Sequence, residues 1–358
     1  MDEYIKNLKE ELIKLKKDNE YIEKCSAYAQ ALLDHGKPVF FDAAHVNLYL
    51  KMEGIKRNGY HYFNAGNRHK QRIIEAPSMN LKKRQKWIAN NILSNEAFGD
   101  WIHGYVKGKS IVTNARVHAG KNRILHMDIK DFFQSITFEM VEKEFIKMGY
   151  SRSAAKALAD ICTFSAEMVW WQEEEYNNSA LTKRYLPLGA PSSPWLSNLV
   201  FQNVDFQILN LLKDKKIQYT RYADDLMFSS DYDDLIWLKD EIERLLSNHK
   251  FIINAGKTKL FTENDQKLLM GLNLTNGVKI QNSYKRKLRQ EIYYCKKYGV
   301  ESHLRKTGAI NRSNFIAYIY GKTYYVKMVE PALGEILLNE LDRIFQDEGG
   351  FINSFFNF

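Results

Sequence analysis

The sequence has little cysteine and little proline. Its three cysteines, Cys25, Cys162 and Cys295, are far apart and form no CxxC pair. This spacing argues against a structural zinc site and against a disulfide framework, and it favours reduced thiols in a cytosolic protein. Six prolines are spread over 358 residues, and no proline-rich linker or low-complexity tract is present.

Long apolar runs are also missing. No stretch approaches the roughly 18 consecutive apolar residues that a membrane-spanning helix needs. The first residues, MDEYIKNLKEEL, are charged throughout and lack the apolar segment of a signal peptide. We therefore expect a cytoplasmic protein without a membrane partner.

The chain carries an excess of positive charge. Lys and Arg number 52 and Asp and Glu number 43, so the formal net charge is +9. A basic balance favours a polyanionic partner such as nucleic acid. The hydrophobic fraction of 45% and the length allow two or three packed subdomains.

Residues 1–36 carry the pattern of one amphipathic helix. Apolar residues keep a heptad-like spacing at Ile5, Leu8, Leu12, Leu15 and Ile22. Gly36 and Pro38 supply the expected stop. The pattern predicts a helix that packs on its own domain, and a pairing surface for a partner or a second copy is the open alternative.

The rest of the chain mixes strands and helices until residue 283, after which it is helical to about residue 346. Predicted helices cover 151–166 and 232–249, and predicted strands cover 251–254 and 268–274. Two segments predict strands that run into turns, namely 122–135 and 216–230.

Three aspartates lie at the ends of these strands. Asp128 follows an apolar strand, and Asp224 and Asp225 stand between two strand segments. Neighbouring residues of a strand face opposite sides, so a tight turn is needed to present both carboxylates together. Such a cluster is costly unless cations neutralise it, and hard divalent ions prefer carboxylate oxygens. Two magnesium ions about 3.5–4 Å apart, which Mn²⁺ can replace, support phosphoryl transfer. An ordinary hairpin turn with a surface carboxylate is the alternative.

The residues around these aspartates resemble the motifs of reverse transcriptases, in that family's order. Tyr222-Ala223-Asp224-Asp225 is similar to the YxDD box, and Asp128-Ile129-Lys130-Asp131-Phe132-Phe133 is similar to motif A. Other resemblances are Arg72-Ile73-Ile74 with Pro77 for the fingers, residues 186–198 for motif B, 254–258 for motif D and 269–272 for the primer grip. The resemblance covers roughly residues 37–346.

This resemblance implies an α/β (α+β) right-hand polymerase fold. Residues 1–36 would form the N-terminal helix and 37–126 the fingers. Residues 127–280 would form a palm with an antiparallel sheet and a fingers insertion around 140–185. Residues 281–358 would form a helical thumb.

The family's site residues carry over motif by motif. Asp128, Asp224 and Asp225 would bind the metals, with the Ile129 carbonyl as an extra ligand. Deoxynucleoside triphosphates would be bound by Arg72, Phe133, Gly189, Ala190 and Lys257. Phe133 would be the steric gate against a ribose 2′-OH, and Lys257 would neutralise or protonate the pyrophosphate. One departure is Leu188, which stands where Gln is usual.

Asn114-Ala115-Arg116-Val117-His118 and the thumb segment 283–299 resemble the retron branch. That branch implies a structured noncoding RNA as template, priming from a guanosine 2′-OH, a branched RNA–DNA product, a separate effector protein and defence against phage. RNA contacts are expected from Asn114, His118, Lys285, Arg286, Arg289 and Lys296.

In Leu269-Met270-Gly271 only the glycine agrees with the retron pattern. Group II intron and diversity-generating enzymes therefore remain alternatives. So does a nucleic-acid-binding module that restrains an effector toxin.

Overall fold

The structure, a computed structural model, describes residues 2–51, 59–65, 73–165, 184–308 and 314–347. Its helices up to the middle of the chain are α1 (Asp2–Lys14), α2 (Asn19–Asp34), α3 (Ala43–Tyr49), α4 (Met79–Asn91), α5 (Ile111–His118), α6 (Phe132–Ser135), α7 (Phe138–Lys147), α8 (Arg152–Cys162) and α9 (Ser193–Leu211). The later helices are α10 (Ile236–Asn248), α11 (Asn282–Tyr298), α12 (Val300–Lys306), α13 (Phe315–Val329) and α14 (Pro331–Asp347). None of these helices is both long and apolar enough to span a membrane.

The N-terminal segment is two helices, so the expectation of one helix is wrong. The chain breaks after α1, where Lys16 takes a positive φ of 53°. Asp18 then caps α2, and its carboxylate accepts a 2.7 Å hydrogen bond from the Tyr21 amide. The heptad-like spacing continued across this break and concealed it. Ile5 and Leu8 pack against the main core, as the amphipathic pattern predicted.

A two-stranded hairpin precedes α4. It consists of β1 (Tyr60–Asn64) and β2 (Ile73–Pro77), which pair antiparallel. The last residues of β2 are buried, and the strand leads directly into α4.

A four-stranded antiparallel sheet is the centre of the fold. Its strands in spatial order are β4 (Gln218–Tyr222), β5 (Asp225–Ser230), β3 (Arg123–Asp128) and β6 (Lys259–Phe261). The predicted strand–turn segments at 122–135 and 216–230 are confirmed. Because β3 begins at Arg123, the predicted fingers–palm boundary at residue 127 cuts through a strand.

Two predicted strands are wrong in their bounds. At 251–254 only an isolated bridge forms, between Ile129 and Ile253, and the edge strand is β6 instead. At 268–274 the chain turns at Met270 and Gly271, whose φ angles are 48° and 79°. The segment therefore splits into β7 (Leu268–Leu269) and β8 (Leu272–Asn273), which pair with β9 (Lys279–Ile280) in a small sheet.

The two faces of the central sheet serve different cores. Leu125 and Phe228 belong to a core shared with helices α2 to α4 and α6 to α10. Ile124 and Met227 point to the other face, where they join α5 and the C-terminal helices in a second core. The alternation of strand side chains therefore links the sheet to the helical C-terminal part.

Candidate active site

The turn between β4 and β5 presents two of the three aspartates. Ala223 takes a left-handed φ of 56°, which lets Asp224 occupy the tip while Asp225 begins β5. In the sheet register Asp225 lies directly opposite Asp128. The Ile129 amide donates a 3.0 Å hydrogen bond to the Asp224 carbonyl, so the main chain after Asp128 lies against the turn. The structure thus brings the three predicted aspartates to one end of the sheet.

A buried ion pair supports the turn from behind. Arg221 and Asp205 are both fully buried, and their bidentate contact has distances of 2.9 and 2.7 Å. The guanidinium also donates to Asn198, at 2.9 Å, and to the Ala223 carbonyl. A bidentate arginine fork fixes direction as well as distance, so this network orients the turn that carries Asp224.

A glycine lets a neighbouring loop close over the same turn. A Cβ on Gly104 would overlap the Ala223 amide, so only glycine fits this approach. The Gly104 carbonyl accepts a 2.9 Å hydrogen bond from Asn198, which connects the loop to the Arg221 network. Sequence reasoning missed these supports, because their partners are far apart in the chain.

The aspartates repel one another. Burial and, after it, the charges of Asp225 and Asp128 together raise the pKa of Asp224 to about 6. Lys257 contacts both carboxylate oxygens of Asp128 at 2.7 Å. The three carboxylates therefore place more negative charge at this site than their surroundings compensate, and Lys257 offsets part of it.

His126 is a site residue that the motif comparison missed. Its Nε2 lies 2.6 Å from an Asp225 carboxylate oxygen. His126 stands two residues before Asp128 on β3, so strand alternation places both side chains on one face. That spacing was the available signal.

The donor chemistry of this cluster suits divalent cations. Within the described ranges, no three His, Cys, Asp or Glu side chains are grouped so as to hold a metal ion as they stand. Two of the three carboxylates are already engaged, Asp128 by Lys257 and Asp225 by His126. Clustered carboxylates are nevertheless the oxygen donors that Mg²⁺ prefers. The residues therefore fit the predicted ions once these partners exchange.

The two aromatic residues after Asp128 differ in burial. Phe132 is buried in the core among Phe201 and Phe251. Phe133 is only half-buried and lies near Tyr105, with 6.3 Å between ring centroids. A partly exposed ring that follows Asp128 closely in the chain is compatible with the predicted gate.

The remaining predicted nucleotide contacts differ among themselves. Gly189 has a φ of 133° and approaches β2, while the Ala190 side chain is buried. Gly189 therefore lacks a side chain because β2 is close, which is a physical reason that the sequence did not show. Arg72 lies outside the described residues.

Asn114 and His118 are not at the surface, so the predicted direct contacts of these side chains with RNA are wrong. Both have 0% exposure. The two ring nitrogens of His118 each lie 2.7 Å from a hydroxyl, of Ser229 and of Thr220. Burial lowers its pKa to about 3, so the imidazole is neutral. The Asn114 amide contacts the sulfur of Met227. These residues fasten α5 to the sheet face that carries Asp225.

The basic residues of α11 are of two kinds. Lys285 pairs with Glu330 at 3.0 Å and is mostly buried, so its charge is matched within the protein. Lys296 is exposed and lies 3.4 Å from Glu340. Arg286 and Arg289 are exposed. The apolar face of this helix is formed by Leu288, Ile292 and Cys295, which are buried.

Comparison with known proteins gives a consistent result. Residues 56–307 match the family described as reverse transcriptase (RNA-dependent DNA polymerase). The Retron Ec86 reverse transcriptase of Escherichia coli is 30% identical over 280 residues, covering 76% of this chain and 80% of that protein. The Retron Mx65 reverse transcriptase of Myxococcus xanthus is 30% identical, covering 74% of this chain and 60% of that protein.

A third relative, the Retron Ec83 reverse transcriptase of Escherichia coli, is 28% identical, covering 78% of this chain and 87% of that protein. Among solved structures, a telomerase from Candida albicans in complex with a fragment of telomeric RNA aligns with a TM-score of 0.40. It shares 13% identity, over 85% of this chain and 65% of that chain.

Proposed function

The chain belongs to the retron branch of the reverse transcriptases, which are RNA-directed DNA polymerases, and we propose that it copies a structured noncoding RNA into DNA that stays joined to that RNA. The observation that carries the proposal is the register that sets Asp128 opposite Asp225, beside a turn tipped by Asp224. The sheet belongs to a right-hand polymerase fold, in which we take 37–122 as fingers, 123–280 as palm, because β3 begins at Arg123, and 281–358 as thumb.

We assign the chemistry to the three aspartates. Asp128, Asp224 and Asp225, with the Ile129 carbonyl, would hold two Mg²⁺ ions, which Mn²⁺ can replace. Bound there, the ions would stabilise charge on the attacking and leaving oxygens during phosphoryl transfer. His126 holds one oxygen of Asp225 and so limits the directions that this carboxylate can take.

Other side chains would select and hold the nucleotide. Phe133 is partly exposed and follows Asp128 closely in the chain, which supports its role as the gate against a 2′-OH. Lys257 reaches Asp128 from the segment before β6 and carries the positive charge needed beside a pyrophosphate. Arg72 keeps the predicted role of binding the triphosphate, because a planar guanidinium suits phosphate oxygens.

The relatives support the biological setting that we propose. Their names identify them as retron enzymes, which supports a cognate noncoding RNA, priming from a guanosine 2′-OH and a branched product for this chain. A separate effector protein and a role in defence against phage complete the proposal. Group II intron and diversity-generating enzymes are absent from the relatives named above.

The experiment has two parts. Purified protein should extend a DNA primer on an RNA template, and Asp224→Asn should reduce the rate about a thousandfold or more, because several kcal/mol of transition-state stabilisation depend on the metal ligands. The matched control is Asp240→Asn, an exposed aspartate of α10. Protein from the native host should carry a branched, ribonuclease-sensitive RNA–DNA species. Full activity of Asp224→Asn would remove the catalytic assignment, and unbranched or absent nucleic acid would remove the retron product.

A further inference from the structure

Glu75 is an anomaly in the burial pattern of β2. Its side chain is 3% exposed, whereas Ile73, on the same face of the strand, is 37% exposed. A strand normally buries its apolar residues and exposes its charged ones. Burying a carboxylate costs free energy unless hydrogen bonds compensate, so this exchange of places needs a reason.

The reason lies in the loop before α9. One oxygen of Glu75 accepts a 2.8 Å hydrogen bond from the Leu188 amide. The other accepts a 3.2 Å hydrogen bond from the Tyr185 hydroxyl. Desolvation raises the pKa of Glu75 above its ordinary value, and these two hydrogen bonds offset part of the rise. The carboxylate thus connects β2 to a loop more than a hundred residues later.

The loop and β2 are also in close backbone contact. A Cβ on Gly189 would lie 2.9 Å from the Ile74 side chain and 3.0 Å from the Glu75 carbonyl oxygen. A positive φ of 133° adds to the requirement for glycine there. The contact between β2 and the loop therefore has main chain on both sides, and the Glu75 side chain fastens it.

Both joined segments belong to the proposed nucleotide site. β2 directly follows Arg72 in the chain, and the loop carries Leu188, where the family usually has Gln, followed by Gly189 and Ala190. Leucine offers no polar side-chain atom, so Glu75 fixes this part of the loop through its main-chain amide instead.

We propose that Glu75 is a positioning residue for the incoming deoxynucleoside triphosphate, acting by holding the Leu188–Ala190 loop against the strand that follows Arg72. The inference rests on the proposed function, since it takes this loop and Arg72 to bind the nucleotide. The Glu75 carboxylate is bound by Leu188 and Tyr185, so it acts through the loop. Its effect is on the affinity for nucleotide and not on the chemical step.

The test separates affinity from chemistry. In Glu75→Ala the KM for deoxynucleotide should rise about tenfold, the equivalent of losing one hydrogen bond to a charged group, while kcat changes little. Glu75→Gln keeps an oxygen that accepts from the Leu188 amide, so its KM should stay near wild type. Tyr185→Phe should raise KM less than Glu75→Ala, because the bond to Leu188 remains.

A binding measurement supports the kinetics. A complex with a chain-terminated primer should bind the next deoxynucleotide about tenfold more weakly in Glu75→Ala than in wild type, with the same affinity for the primer–template. Glu144→Ala is the matched control, since Glu144 is also a buried glutamate and pairs within its own helix with Lys147 at 2.7 Å. That variant should keep the wild-type KM.

The outcomes are distinct. If wild type makes no DNA, the proposed function fails, whatever Glu75 does. If wild type is active and Glu75→Ala keeps the wild-type KM, or loses kcat alone, the positioning role is wrong. If Glu75→Ala does not fold, Tyr185→Phe decides, because the proposal requires its KM for deoxynucleotide to rise measurably. An unchanged KM in Tyr185→Phe, together with an unchanged KM in Glu75→Gln, then overturns the proposal.

Discussion

The central sheet and helix α11 hold their charged residues in opposite environments. At the sheet, Arg221 and Asp205 are wholly buried and matched in a bidentate pair. On α11, Arg286 and Arg289 are exposed to solvent. A buried pair fixes geometry, since movement of either partner would leave the other charge buried without its counter-ion. An exposed charge fixes little and attracts a polyanion over some distance. The buried pair at the sheet therefore positions the turn that carries Asp224, whereas the exposed arginines of α11 can attract a polyanion.

The largest effect should come from breaking the buried pair. Arg221→Met leaves Asp205 buried without its cation, so the free energy of unfolding should fall by about 3–5 kcal/mol. Chemical denaturation measures this. The control is Arg244→Met, which removes an exposed partner of Glu241 and should cost less than about 1 kcal/mol. Similar losses in the two variants would mean that the sheet's charges are no more structural than surface charges.

The next effect concerns the gate. Phe133→Ala opens space at the sugar, so discrimination between deoxynucleotides and ribonucleotides should fall about tenfold or more. The ratio of kcat/KM for the two substrates measures it. Phe206→Ala removes an exposed ring of α9 and should leave the ratio unchanged. A wild-type ratio in Phe133→Ala would reduce Phe133 to packing.

The third prediction is that His118 of α5 has a structural role and does not contact RNA. Replacing His118 with Ala leaves two hydroxyls without their partner, so stability should fall by about 1–3 kcal/mol. Activity should then fall equally on a structured RNA and on a generic primed template. Arg116→Ala, the exposed position of the same helix, should spare stability. Selective loss on the structured RNA in His118→Ala would restore the original expectation.

The pH dependence of stability has a definite sign at His118. Its pKa of about 3 in the folded protein lies below the ordinary value of 6.5, so the unfolded chain binds the proton more readily. The stabilisation it contributes is complete above about pH 6.5 and is lost as the pH falls towards 3. Wild type should therefore lose its stability advantage over His118→Ala across that range.

The smallest effect belongs to the thumb. Replacing Arg286 and Arg289 with Ala should flatten the plot of log affinity against log salt by roughly 0.7–0.9 per lost phosphate contact. Lys285→Ala is the comparison, because its ion pair with Glu330 is internal. It should change thumb stability more than the salt slope. An unchanged slope in the arginine variant would mean that this face is only solvated.

Features that depend on local sequence signals could be predicted, and features that depend on distant partners could not. Alternating strands and the turn at Asp224 and Asp225 were readable, because period-two patterns and turn residues are local signals. The break after α1 was not, since the heptad spacing ran across it.

Burial was also unreadable where the partner is distant. Asn114 and His118 resemble a recognition motif, but their side chains are buried and attach α5 to the sheet. Lys285 has the sequence context of a surface charge, but in the structure it pairs with Glu330. The support from Arg221 and Asp205 likewise depends on partners from different elements.

The central claim is that Asp128, Asp224 and Asp225 form a repelling cluster that a divalent cation relieves. The most direct measurement is thermal melting of wild type and Asp224→Asn with and without Mg²⁺, between pH 5 and pH 8. Because the pKa of Asp224 is raised to about 6, wild type without Mg²⁺ should lose stability as the pH rises through 6, and Asp224→Asn should not. At pH 8 the variant should melt higher than wild type, and Mg²⁺ should stabilise wild type more than the variant. Equal melting of both proteins at pH 8, with equal stabilisation by Mg²⁺, would contradict the account.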